Sequence, residues 1–191
     1  MEADWEFELG ADAPVIDAAW SGFIDLRHEP LRIGEVQEIH LLPELTHILL
    51  RLNAADSPVW TCKCDVWRLD DPVDAFELDA DEAAAADAMA CYIDLLPRDA
   101  EQWPLPQTIA ADCKALCDRL RPVPLRCCRV DLVVRQAHWM VDQRGLGITA
   151  YFTGCGTAEA DAREHLAQVL TVFAGTLVSS ASFARPGSPL Q

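Results

Sequence analysis

Basic residues are scarce. Lys and Arg number 15 against 31 Asp and Glu, for a net charge of -16. Such a surface repels phosphate backbones, so nucleic acid is not an expected partner and a basic protein is the better electrostatic match. Long apolar runs are missing as well. No stretch of about 18 apolar residues exists, so neither a membrane span nor a membrane partner is expected. The opening MEADWEFELG is acidic, whereas a secretory leader has a basic start and an apolar segment, so a cytoplasmic location is expected. Thiols are normally kept reduced there. The eight cysteines therefore read as free thiols or ligands rather than as a disulfide framework. Familiar catalytic signatures are absent: there is no Walker loop, no G-x-G-x-x-G opening a helix, no G-x-S-x-G and no H-E-x-x-H. The five histidines, His28, His40, His47, His138 and His165, lie scattered. No cofactor is expected.

Hydrophobic residues make up 51% of 191 residues, enough for one sizeable core. A single domain over 1–178 with a mobile tail, 179–191, is the expected organisation. Charge is uneven along it. Residues 1–100 carry 23 acids and 6 bases, and residues 101–191 carry 8 acids and 9 bases. The segment 69–97 holds nine acids and no base. It reads as a solvated acidic loop or as a docking site for a basic partner. A calcium loop fits poorly, because Asp79, Asp81 and Glu82 lack the glycine turn and the distant bidentate Glu.

Periodicity gives the elements. DWEFEL alternates Trp5, Phe7 and Leu9 with acids, as a strand does. LPELTHILLRLNA puts Leu45, Ile48, Leu49 and Leu52 on one helical face, with Pro43 in the first turn. Residues 59–69 and 89–96 alternate as strands. A helix opens at Pro106 and stops before Pro122. RCCRVDLVVRQA and GLGITAYFTGC read as a strand pair with QRGLG in the turn region. A last helix follows, capped by Thr157 or a neighbour.

Two strand–strand–helix units, about 58–121 and 126–178, align with each other. Cys62 meets Cys128, Lys63 meets Arg129, Asp65 meets Asp131 and Tyr92 meets Tyr151. The helix faces Ile109, Cys113, Leu116, Cys117, Leu120 and Ala162, Leu166, Val169, Leu170, Phe173 share one spacing. An internal duplication follows as the expectation. With period two, Trp60, Cys62, Cys64 and Val66 share an apolar face. Cys113 and Cys117 stand where the other unit has Leu166 and Leu170. Cysteine that alternates with leucine reads as a small core residue. The alternative is a thiol-ligated site for zinc or copper(I) built from Cys62, Cys64, Cys113, Cys117 and Cys128. The usual C-x2-C repeat is absent. Cys127 and Cys155 are the cysteines expected away from the core.

The opposite face of the strands holds Lys63, Asp65 and Trp67; Tyr92 and Asp94; Arg129, Asp131, Val133 and Arg135; and Thr149, Tyr151 and Thr153. Both tyrosines of the chain lie on it. A wet polar face is the plain reading. The sharper one is a binding face made by Lys63, Asp65, Trp67, Tyr92, Asp94, Arg129, Asp131, Tyr151 and Thr153, open to a protein partner, a small ligand or a second copy of the chain.

The expected fold is α+β: two layers, a mainly antiparallel sheet with helices on one face, in a ferredoxin-like arrangement with an added strand and helix. The expected function is a non-catalytic binding module using the polar sheet face and the acidic loop. A thiol-ligated metal protein and a small hydrolase-like enzyme using the Asp/Tyr face stand as alternatives.

Overall fold

The computed structural model describes residues 1–140 and 143–180. The expected tail, apart from Ser179 and Ser180, lies outside them. Strands β1 (Glu2–Glu8) and β2 (Ile16–Asp17) lead into α1 (Leu45–Asn53), β3 (Val59–Arg68) and β4 (Asp87–Pro97). Then come α2 (Pro106–Leu120), β5 (Cys128–Met140), β6 (Gln143–Gly156) and α3 (Glu159–Val178). The fold is α+β: a mixed six-stranded sheet ordered β1-β5-β6-β4-β3, with β2 also paired to β5. Both β1 and β2 run parallel to β5, and every other pairing is antiparallel. Among the described residues no helix is long and apolar enough to cross a membrane.

The order departs from the ferredoxin-like expectation. There β1 would lie between β5 and β4, but β6 fills that place and β1 sits at the edge beside β5. Hairpin pairing of β5 with β6 joins neighbours in sequence, the commoner outcome. Residues QRGLG lie within β6 rather than in the turn, and the hairpin link, 141–142, is outside the described residues.

The core forms between the sheet and its three helices. Every residue of the two aligned helix faces is buried. Phe152 of β6 meets Phe173 of α3 edge to face, ring centres 4.8 Å apart, a favoured aromatic geometry. α3 can lie this close because Gly154 and Gly156 bear no side chain. A Cβ on Gly154 would stand 2.5 Å from Leu166 N and 2.6 Å from Ala162 O. The start of α3 differs from expectation: Ala158 is its N-cap and no side chain caps it, while the Thr157 hydroxyl donates to Asp161 instead.

Strand β3 carries the main correction. Its register against β4 shifts between Thr61 and Lys63, a bulge with one extra residue, which reverses the faces beyond it. Thr61 stays on the helix side. Its N–H donates to Asn53 Oδ1 (3.1 Å) and its hydroxyl accepts from Asn53 Nδ2 (2.6 Å). Cys64 and Val66 belong to the helix-side core, as expected. Trp60 and Cys62 do not. They pack on the other face with Ile16, Ala18, Leu96 and Ala137, where Cys62 Sγ donates to Asp17 O at 3.2 Å.

Candidate functional site

The small second cluster changes the polar face at one end. It anchors residues 14–20 over the sheet and leaves a cleft of about 380 Å3 beneath them. The floor is Lys63 from β3, Tyr92 and Asp94 from β4, Thr149 and Tyr151 from β6, and Arg135 from β5. The roof is Pro14, Val15, Ile16, Asp17 and Trp20. Alternation along each strand explains the floor, and the parallel pairing of β2 with the far end of β5 explains the roof.

One hydrogen-bonded chain crosses four strands. Arg135 Nε and Nη2 donate to Glu8 Oε2 (2.9 and 2.5 Å). Arg135 Nη1 donates to Thr149 Oγ1 and to the Tyr151 hydroxyl, each at 3.1 Å. The Thr149 hydroxyl donates in turn to Asp94 Oδ1 at 2.6 Å. Thr149 and Asp94 are 1% and 8% exposed, and buried polar groups linked in this way hold one another in place. Among the described residues the second Asp94 oxygen has no hydrogen-bond partner. Trp67, Tyr92 and Tyr151 form an aromatic row beside the cleft, with ring centres 6.2 and 6.0 Å apart.

Burial raises the Asp94 carboxyl above its usual 3.8, against the Thr149 hydrogen bond and the charges of Arg135 and Lys63. Burial, then the Asp94 charge, raises the Tyr92 phenol, which stays neutral near pH 7. The cleft therefore offers a carboxyl, two phenol hydroxyls, a guanidinium with most donors engaged, and an ammonium. A raised carboxyl binds more protons folded than unfolded, so its contribution to stability falls as pH rises above 3.8 and through the folded pKa. Asp94→Asn keeps an oxygen for Thr149 and removes the titration. The melting temperature of the variant, relative to the wild-type chain, is expected to climb between pH 3 and pH 7. A difference that stays flat over that range, measured by thermal unfolding, counts against a raised Asp94.

Of the residues read from sequence, Lys63, Tyr92, Asp94 and Tyr151 come together here. Asp65, Trp67, Arg129, Asp131 and Thr153 lie on the same face outside the cleft. Arg129 and Asp131 form an ion pair at 2.7 Å. Arg135 and Thr149 had been placed on the face by alternation but not in the site. The roof residues gave no signal, because residues 10–34 show no periodicity.

The cysteines take several places. Cys91, Cys113, Cys117 and Cys128 are buried in the helix-side core, with Cys64 packed against it. Cys62 lies across the sheet from them. The alternative five-cysteine set is thus split by the sheet. Among the described residues no group of three or more His, Cys, Asp or Glu is placed to hold a metal ion. Burial pushes the Cys62, Cys64 and Cys117 thiols up to about 12 and Cys128 up to about 11, so they stay protonated and unreactive near neutral pH. Cys155 is fully buried, contrary to the expectation that it lies away from a core. It and half-buried Cys127 pack with Leu78 and Ala88 under the acidic loop.

That loop is partly neutralised by its own neighbours. Arg126 donates to Asp79 O at 3.1 Å, Arg129 lies 3.8 Å from Glu77, and Arg68 pairs with Asp87. Phe76 projects from it, 88% exposed. The chain matches no protein-family model, no curated protein and no solved structure.

Proposed function

We propose that the protein is a non-catalytic binding module that holds a small polar ligand in the cleft under residues 14–20. One observation carries this reading: side chains from four neighbouring strands, Lys63, Asp94, Thr149 and Arg135, converge in a roofed cavity flanked by two adjacent tyrosines. Ligand sites are concave, with a few fixed polar groups and apolar walls. The Glu8–Arg135–Thr149–Asp94 chain supplies the fixed groups, and Tyr92, Tyr151 and Trp20 supply the walls. The register places Tyr92 directly opposite Tyr151. The acidic loop is a second surface, suited to a basic protein partner, with Phe76 as an apolar contact amid Asp74 and Glu77.

A library of small polar compounds screened by thermal shift tests the cleft. Hits are expected to lose at least tenfold in affinity, or about 1.4 kcal/mol, in the Tyr92→Ala, Tyr151→Ala double variant. Tyr92→Phe with Tyr151→Phe serves as the milder pair, keeping the rings and removing the hydroxyls. Hits that bind all three proteins equally would refute the assignment of the site.

A further inference from the structure

The polar cleft has a neighbour. A second cavity of about 410 Å3 lies along the outer side of β3, and both cavities are lined by Trp20 and Lys63. Its walls are chiefly apolar: Ile24, Leu26, Val36 and Leu49, with Cys62 and Cys64 beside them. Those two thiols stay protonated near neutral pH and behave as small apolar groups. Trp20 folds over Gly22, whose φ is +118°; a Cβ there would stand 2.8 Å from the indole. The indole thus stands between a polar chamber and an apolar one.

Charge fixes what the polar chamber holds. Lys63 and Asp94 are register partners across β3 and β4, yet among the described residues Lys63 makes no ion pair, whereas Lys114 is paired with Asp118 at 2.5 Å. One Asp94 oxygen is likewise open. An anion and a cation face the same space without closing on each other. The apolar chamber has Glu35 and Glu38 along its lining. Glu35 is ion-paired with Arg32 at 2.8 Å. These carboxylates disfavour an anionic end there, which leaves Lys63 as the place for one.

We propose that the ligand is a free α-amino acid with an apolar side chain, its carboxylate on Lys63, its ammonium on Asp94 and its side chain past Trp20 in the apolar chamber. This rests on the cleft being a ligand site at all. The class follows from three features that no one-ended ligand satisfies together: an open cation, an open carboxylate and an adjoining apolar space.

Calorimetric titration of the full chain at pH 7 tests it, with glycine, L-alanine, L-leucine, leucinamide and 4-methylpentanoate as probes. Leucine should bind on the order of 50-fold more tightly than alanine, for three further carbons at about 0.8 kcal/mol each. Leucinamide and 4-methylpentanoate, each lacking one charge, should bind at least tenfold more weakly than leucine. Lys63→Met changes an exposed side chain and should bring leucine down to the level of leucinamide. Equal binding of leucine and either one-ended analogue overturns the proposal, as does equal binding of leucine and glycine. If leucine fails while polar library compounds bind in a tyrosine-dependent way, the amino-acid assignment falls and the cleft stands. If neither binds, both fall.

Discussion

Gly154→Ala should cost about 3 kcal/mol of stability, at the upper end of overpacking effects. The added methyl meets backbone on both sides of one helical turn, Leu166 N, Ala162 O and Leu166 Cα, all within 2.9 Å. A side chain can rotate away from such a contact, but helix backbone cannot. α3 would have to lift from β6, opening the Phe152–Phe173 contact and the layer around it. The same substitution at Gly175, on the exposed side of α3, meets nothing within 4 Å and should stabilise by about 0.5 to 1 kcal/mol through helix propensity alone. Urea denaturation of the two variants gives opposite signs if the seat of α3 is as described. A Gly154→Ala chain as stable as wild type would mean that α3 does not bear on that residue.

Arg98→Met is the second large loss, about 3 kcal/mol, for several charge-assisted hydrogen bonds removed at once. Arg98 Nε donates to Ser57 O at 2.7 Å, and Nη2 to Asn53 O and Ala54 O at 2.9 and 2.8 Å. Those carbonyls end α1 and begin the turn into β3. Helix C-termini leave carbonyls without intrahelical partners and carry partial negative charge, so a half-buried guanidinium is well placed there. Met keeps the aliphatic stem and deletes the donors. Chemical denaturation should show the loss, and amide exchange should rise first at the end of α1. A loss under about 1 kcal/mol would show that water replaces the donors at little cost.

Much of the layering could be read from the residues, and the reasons for the failures are specific. α2 and α3 declare themselves because five apolar positions repeat at helical spacing between a proline start and a proline stop, or between a turn and a polar end. The strands around Tyr92, Asp131 and Tyr151 alternate cleanly, so their polar face was recoverable. β3 was misread at Trp60 and Cys62. Alternation through WTCKCDVW is unbroken in sequence, and the bulge that breaks it is set by Asn53, eight residues before Thr61, gripping the Thr61 backbone and hydroxyl. No local pattern encodes a contact of that kind. Cys62 moved to the other face with it, and the imagined five-thiol cluster went too. GLGITAYFTGCG reads as a glycine-rich hairpin strand that ends in a turn. Two of its glycines instead make room for a helix that follows, a reason that exists only after packing. The cleft was half legible: its floor lies on alternating strands, whereas its roof is an irregular segment held down by a two-residue pairing with the end of β5.

That roof has a consequence for how the molecule is made. Glu8 and Arg135, which anchor one end of the cleft, are 127 residues apart, and β2 waits for the same strand. On a chain synthesised from its N-terminus, the first two strands have no partner until β5 emerges. Pairings so distant in sequence are slow to close and raise the contact order of the fold. The helix and hairpin units can condense early from local contacts, while the two leading strands dock afterwards on the finished edge of β5. The cleft is thus completed by the oldest part of the chain and is among the last features to exist.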